Sequence, residues 1–236
     1  MQLKTLSVSL LFFFLLTSCT WADASLSIRD SLTDFGYVPT KSAVIRTLVF
    51  YSTGTDTLLI SEVNTTCSCL KMPLEQNVIP PGESLLVPLI YESELNIGIK
   101  DRYPYIYTNA RKAPYRIAVK TTTAENMSAL SPITVFPFRV LASKLDDNYA
   151  FRFTFELQND GENPVTPGLV YQDDSLFDVR LPAEIPPGET VVAELVLTPQ
   201  GVKTEFLSSF TFEYIGKDGR KTNHSVPVIR KIYRKD

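Results

Sequence analysis

Two cysteines separated by one residue are the side chains in this sequence best suited to chemistry. Cys67 and Cys69 flank Ser68, and Met72 follows shortly afterwards. Two thiolates with a thioether suit Cu(I), so one hypothesis is a soft-metal site made by Cys67, Cys69 and Met72. Neither a second cysteine pair nor a nearby histidine accompanies them, as the zinc patterns would require. Apart from this Cu(I) hypothesis, the sequence predicts no cofactor.

The same two cysteines could instead be oxidised. In a regular strand the Cβ atoms of residues two apart are separated by roughly 6–7 Å, whereas a disulfide requires about 3.5–4.5 Å. A Cys67–Cys69 disulfide therefore requires a turn or a bulge, and it would be strained and easily reduced. A packing site without chemistry and an intermolecular disulfide are the remaining alternatives.

The residue types that enzymes use are sparse elsewhere in the chain. His224 is the single histidine and lies in a predicted final strand. A Ser-His-Asp set cannot form without it, and the chain has no Gly-x-Ser-x-Gly elbow and no glycine-rich phosphate loop. We therefore predict that the protein is not an enzyme.

Three tyrosines form a candidate interaction surface. Tyr103, Tyr105 and Tyr107 alternate along a predicted strand, Arg102–Tyr107. An exposed tyrosine row offers apolar area with polar tips and is typical of contact surfaces, whereas an inward row would be core. Pro104 predicts an edge strand, because proline cannot donate to the ladder, and this favours exposure and a protein partner.

The first residues have the features of a signal peptide. Lys4 gives a short positive region, and an apolar run of about eleven residues follows at Leu6–Leu16. A membrane-spanning helix needs about twenty. We predict that residues 1–24 are a targeting segment and contribute nothing to the fold.

Two cleavage sites compete within this segment. Leu16–Cys19 has the form of a bacterial lipobox, and cleavage before Cys19 would leave that cysteine lipidated. Several acyl chains would hold the protein on a membrane, at about 0.8 kcal/mol for each buried methylene. Ala22–Ala24 instead has the small-x-small form of ordinary cleavage, which would release a soluble periplasmic protein.

Composition limits the remaining function classes. The net charge of −3 argues against a nucleic-acid partner. Removing the targeting segment leaves about 210 residues, enough for two all-β domains of about 100 residues each.

Strand patterns fill most of the chain. Ala150–Gln158 alternates cleanly, with Phe151, Phe153, Phe155 and Leu157 on one face. A Gly216–Arg220 turn predicts a hairpin, and no stretch predicts a capped helix. The other predicted strands are Ile45–Tyr51, Leu58–Val63, Leu85–Tyr91, Arg102–Tyr107, Tyr115–Thr121, Ile133–Val140, Val191–Leu197, Phe206–Tyr214 and Ser225–Ile229.

An internal repeat divides the chain. Val78–Val87, with its Pro-Pro-Gly-Glu turn, matches Glu184–Ala193, and Tyr51–Gly54 matches Gln158–Gly161 at nearly the same offset. Two landmarks in one register indicate two copies of one fold. We predict domains at 25–122 and 132–236, joined by a polar linker at 123–131.

Five short motifs support a family resemblance for the first domain. They are Asp34-Phe35-Gly36, Ser52-Thr53-Gly54, Cys67-Ser68-Cys69, Pro80-Pro81-Gly82-Glu83 and Tyr107-Thr108-Asn109. In order and spacing they resemble a bacterial exported family of Ig-like domains of unknown function, whose hallmark is Cys-Gly-Cys and which looks related to the major sperm protein and ciliary-type Ig folds. Here Ser68 replaces the glycine. The resemblance implies an Ig-like fold for the first domain of an exported protein, and no reaction. Together with the repeat and the regular short strands, it predicts two tandem Ig-like antiparallel β-sandwiches.

The sequence therefore predicts an extracytoplasmic, lipid-anchored binding or structural module of the bacterial envelope. Its partner would be an envelope protein or another envelope component. One alternative is a periplasmic thiol- or copper-handling protein that uses Cys67, Cys69 and Met72. Another is a chaperone-like assembly factor that donates or accepts strands.

Overall fold

The computed structural model describes residues 22–94, 97–124, 131–143, 151–216 and 219–232. Cys19, the rest of the predicted signal peptide up to residue 21, and residues 125–130 of the predicted linker lie outside the described residues. Strands dominate the described elements, so the predicted all-β class is confirmed. The domain boundaries stay predictions, and we refer below to residues 22–124 as the first half and residues 131–232 as the second half.

The strands of the first half make two four-stranded sheets and part of a third. The sheet orders are β1-β3-β7-β5 and β10-β9-β4-β6, and β2, β11 and β8 belong to the third sheet. The bounds are β1 Leu26–Arg29, β2 Leu32–Pro39, β3 Ala43–Ser52, β4 Leu58–Asn64, β5 Leu70–Lys71, β6 Val78–Ile79, β7 Ser84–Glu92, β8 Gly98–Arg102, β9 Tyr105–Thr108, β10 Arg111–Arg116 and β11 Ala118–Ala124.

Period-two patterning places the core of the first half. Every second residue of β3 is buried, including Val44, Leu48 and Phe50. Together with the fully buried Phe35 and Tyr91 they belong to one hydrophobic cluster. Each such side chain contributes about 1.5–3 kcal/mol through burial.

The second half contains a further four-stranded sheet, β12-β14-β17-β16, and contributes β15, β18, β19 and β13 to the third sheet. The bounds are β12 Ile133–Phe136, β13 Val140–Leu141, β14 Arg152–Asn159, β15 Gly168–Tyr171, β16 Phe177–Arg180, β17 Thr190–Leu197, α1 Pro199–Lys203, β18 Phe206–Ile215 and β19 Lys221–Arg230. A separate hydrophobic cluster fills this half.

The predicted repeat is visible in the backbone hydrogen bonds of the two Pro-Pro-Gly-Glu turns. Gly82 N–H donates to the Ser52 carbonyl, and Gly188 N–H donates to the Asn159 carbonyl at the equivalent position. Both glycines have positive φ, at 78° and 73°. The turns therefore occupy matching places in the two halves.

The helix α1 was not predicted. Its N-cap is Thr198, whose Oγ1 accepts from the Gly201 N–H at 3.0 Å, and Pro199 begins it. Five residues are too few for an amphipathic period, so only the cap could have indicated it. No helix of the described residues is long and apolar enough to cross a membrane.

One sheet runs through both halves. Its main path is β15-β18-β19-β2-β11-β8, and β19 meets β2 in parallel at His224 and Tyr37. We call the contact of β2 and β3 with β18 and β19 the junction. At its centre Gly36 has φ 61°, and a Cβ there would lie 1.8 Å from the Asn223 carbonyl oxygen.

Hydrogen bonds to backbone groups hold the junction together. Ser209 Oγ donates to the Ile45 carbonyl at 2.7 Å and accepts from the Ile45 N–H at 2.9 Å. Ser225 Oγ donates to the Phe35 carbonyl at 2.7 Å. Both serines are fully buried, so these bonds satisfy groups that would otherwise lack partners.

Arg46 is enclosed in the same junction. Its guanidinium lies 4.9 Å from the Tyr171 ring and 5.8 Å from the Phe35 ring, while its Nε and Nη2 have no hydrogen-bond partner among the described residues. Burial lowers the pKa of Arg46 below its ordinary value because the charged form is desolvated. Ring faces therefore replace water around this cation.

Candidate functional site

The structure joins Cys67 and Cys69 in a disulfide, with their Cα atoms 5.3 Å apart. The segment is a turn and not a strand, as a bond between these two residues requires. Thr66 has φ 62°, and the Leu70 N–H donates back to the Cys67 carbonyl at 3.3 Å.

The disulfide bears directly on the copper hypothesis. Cys69 and Met72 are buried in the hydrophobic cluster of the first half, and Cys67 is half-buried beside it. A disulfide leaves neither sulfur as a thiolate, so the oxidised pair cannot supply the Cu(I) ligands. The described residues also contain no group of three His, Cys, Asp or Glu side chains that could hold a metal ion.

His224 lies inside the fold and not at a surface site. It is 4% exposed, its ring stacks on Phe212 at 5.3 Å, and it meets Tyr37 edge-on at 6.1 Å. Its Nδ1 has no partner among the described residues. Burial lowers the pKa of His224 to about 4, which keeps the ring neutral around neutral pH.

The tyrosine row lies on a sheet face, but its strand differs from the prediction. The predicted strand is interrupted at Tyr103 and Pro104. β8 ends at Arg102 and pairs with β11, while β9 begins at Tyr105. Since β9 lies between β4 and β10, the prediction that Pro104 marks an edge strand is wrong. Pro104 instead occupies the crossing from one sheet to the other, where no ladder N–H is needed.

Tyr105 and Tyr107 point away from the core. The buried Ile106 lies between them, so the period of two places both tyrosines on the outer face, where they are half-buried. Tyr105 is opposite Asn64 on one neighbouring strand and Arg116 on the other. This face therefore presents tyrosine beside amide and guanidinium groups.

Arg116 completes this surface. Its guanidinium lies 4.8 Å from the ring of Tyr103, which is 37% exposed. Glu62 lies opposite Tyr107. We call Tyr103, Tyr105, Tyr107, Arg116, Asn64 and Glu62 the tyrosine face, and its aromatic and arginine content is typical of protein interfaces.

The last residues of the predicted signal peptide are part of the fold, so the prediction that residues 1–24 contribute nothing to it is wrong for Asp23 and Ala24. The Asp23 carbonyl accepts from the Thr55 and Asp56 N–H groups at 2.8 and 3.2 Å, and the Asp23 N–H donates to Thr55 Oγ1 at 3.1 Å. Ala24 is 8% exposed and belongs to the core. Gly54 is needed for this contact, because a Cβ there would lie 2.1 Å from the Asp23 carbonyl oxygen.

A family model matches the first half. Residues 26–123, from the start of β1 almost to the end of β11, match the family described as "Protein of unknown function (DUF1573)". The description assigns no activity. No protein with curated annotation matches the chain.

Solved structures give distant likenesses over most of the chain. A protein of unknown function from Porphyromonas gingivalis W83 is 15% identical, covering 86% of this chain and 99% of that one, with a TM-score of 0.36. The YadV chaperone is 12% identical, covering 86% and 98%, with a TM-score of 0.31. Domains 5–6 of the S-layer protein SbsC are 10% identical, covering 89% and 100%, with a TM-score of 0.28. These similarities are too low to support a functional assignment.

Proposed function

We propose that this protein is an exported, lipid-anchored, non-enzymatic binding module of the bacterial cell envelope, built from two Ig-like β-sandwiches. The observation that carries the binding role is the tyrosine face. Tyr105 and Tyr107 stand outward on an interior strand, so the surface is held rigidly and little ordering entropy is lost on binding. The partner that fits is an envelope protein with a flat surface and carboxylate groups for Arg116.

The packing of Asp23 and Ala24 supports anchoring through Cys19. Cleavage after Ala24 would remove three backbone hydrogen bonds of Asp23 and one buried core residue. Cleavage before Cys19 keeps both residues, and the four-residue connection reaches at most about 14 Å. A lipidated Cys19 would therefore hold the Gly54 end of the first half close to the membrane.

The anchor gives the first prediction. We expect the intact mass of the native protein to correspond to a chain beginning at Cys19 with two or three acyl chains. We also expect the Cys19→Ser variant to move from the membrane fraction to the soluble fraction. Two or more chains give stable attachment, whereas one gives marginal binding. As a matched control, the double variant Cys67→Ser, Cys69→Ser should stay in the membrane fraction. A mature chain that begins at Ser25 would contradict the proposal.

The tyrosine face gives the second prediction. A photo-crosslinking amino acid at Tyr105 should yield one discrete adduct in intact envelopes, and the same amino acid at Val192, which is 58% exposed in the second half, should not. Once the partner is purified, Tyr105→Ala should weaken its affinity at least about tenfold, as loss of an interface hot spot does. The double cysteine variant should retain the adduct. If it loses the adduct while Tyr105→Ala binds normally, the thiol function is favoured instead.

A further inference from the structure

We propose that the second half accepts an extended peptide strand from another protein, one that carries an apolar side chain near a carboxylate, in a groove beside β14. This strand-acceptor groove has a volume of about 670 Å³. It is separate from the tyrosine face, so neither proposal depends on the other. Its lining includes Phe138, Arg139, Leu141, Arg152, Phe153 and Thr154.

Half of one edge of β14 has no neighbouring strand among the described residues. β12 pairs with β14 only at the residues from Glu156 to Asn159. After the end of β12 the chain crosses to β13 in the other sheet. The Leu197 N–H donates to the Phe151 carbonyl, and this fixes which residues of β14 face β17. By antiparallel alternation, the backbone groups of Arg152 and Thr154 point the other way, toward the groove. An added strand could pair with them.

Apolar side chains line the groove beside these backbone groups. Phe138 is 50% exposed and Leu141 is 59% exposed, while Phe153 is half-buried at the edge of the core. Phe136 and Phe151, nearby in the chain, are also more than half exposed. Large apolar side chains concentrated beside an open edge are typical of a surface that becomes covered on binding.

Charge indicates the kind of strand that fits. Arg152 already pairs with Glu194 at 2.7 Å. Arg139 Nε is buried without a hydrogen-bond partner among the described residues, and its Nη2 donates to the Lys41 carbonyl at 3.5 Å. The same guanidinium lies 4.5 Å from the Phe138 ring. A carboxylate on the incoming strand would accept a charge-assisted bond from the Arg139 guanidinium, which lines the groove. The occupant is therefore an extended segment with an apolar residue entering the groove and an acidic residue at Arg139.

Peptide binding tests this proposal directly. The probe is a short fluorescein-labelled peptide that alternates valine with threonine and ends in aspartates, titrated by anisotropy against the full chain carrying Cys19→Ser. We expect saturable binding that weakens at least tenfold in Phe138→Asp and in Thr154→Pro, since proline removes the N–H that faces the groove. A lysine-ended peptide and an aspartate peptide interrupted by proline should bind at least tenfold more weakly.

The controls separate groove binding from other causes. Val192→Asp changes a similarly exposed apolar residue on the sheet that contains β14 and should leave affinity unchanged. If Thr154→Pro melts early, the exposed Phe138→Asp variant decides alone. Absence of saturable binding, or equal binding to both folded groove variants, would overturn the proposal. So would a wild-type dimer in sedimentation that Phe138→Asp dissociates, because a second copy would then be the occupant.

Discussion

Replacing Gly36 with alanine is expected to destabilise the protein by at least about 3 kcal/mol. Gly36 has φ 61°, a conformation that costs other residues about 1–2 kcal/mol. A Cβ would also lie 1.8 Å from the carbonyl oxygen and 2.2 Å from the carbonyl carbon of Asn223. These are backbone atoms of β19, so the junction would have to open. Denaturant unfolding measures the loss in the free energy of unfolding. The backbone amides of residues 223–226 should also exchange their hydrogens faster than in the wild type.

The two repeat turns provide a matched control for this prediction. Gly82 and Gly188 have similar positive φ values, yet a Cβ at either would meet nothing within 4 Å. Gly82→Ala should therefore destabilise the protein only by the cost of holding alanine at positive φ, about 1–2 kcal/mol. If Gly36→Ala proves no more destabilising than Gly82→Ala, the close approach to Asn223 is not what holds the junction.

Local patterns were sufficient to predict much of the secondary structure. In β14 one face meets the core and the other meets solvent, so the alternation of Phe155 and Leu157 with polar residues is plain in the sequence. The hairpin at Gly216–Arg220 was equally predictable, and the structure confirms it with a Gly216 N–H to Arg220 carbonyl bond. Short-range sterics and a single buried face determine both features.

The junction could not be predicted, because its partners are distant in sequence. In β18, Ser209 and Thr211 alternate with Phe210 and Phe212, which suggests a solvent face, yet all four are buried. The small polar residues face the first half, where Ser209 bonds Ile45. A polar side chain buried against another strand's backbone has the same sequence pattern as an exposed one.

The tyrosine face and the strand-acceptor groove also differ in how much of them the sequence could predict. Alternation predicted that Tyr105 and Tyr107 share one face but left open whether that face points outward. Pro104, the reason given for exposure, lies between β8 and β9 and not in an edge strand. The groove at Phe138 and Phe153 was missed altogether, since it depends on where the chain crosses between sheets. Exposed phenylalanines within a β-rich sequence look like core residues until the strand pairing is known.

The stability of the protein should fall as the pH decreases from about 6.5 to about 4, through His224. Burial lowers its pKa in the folded state to about 4, while the unfolded value is about 6.5. Between these values the unfolded chain binds more protons, so acid favours unfolding. The contribution is complete above pH 6.5 and is lost as the pH falls to 4, amounting to about 3 kcal/mol.

His224→Leu provides the comparison that isolates this effect. Carboxylates titrate in both proteins and cancel in the difference, and burial raises the pKa of neighbouring Tyr214 away from this range. Urea unfolding at several pH values should give a wild-type minus variant difference that declines steadily below pH 6.5. If the free energies of unfolding of the wild type and the variant differ by the same amount at every pH, the pH dependence does not come from His224. His224 pairs with Tyr37 where β19 meets β2, so protonation of this ring destabilises the contact that joins the two halves. Acid should therefore loosen the junction before it unfolds either hydrophobic core.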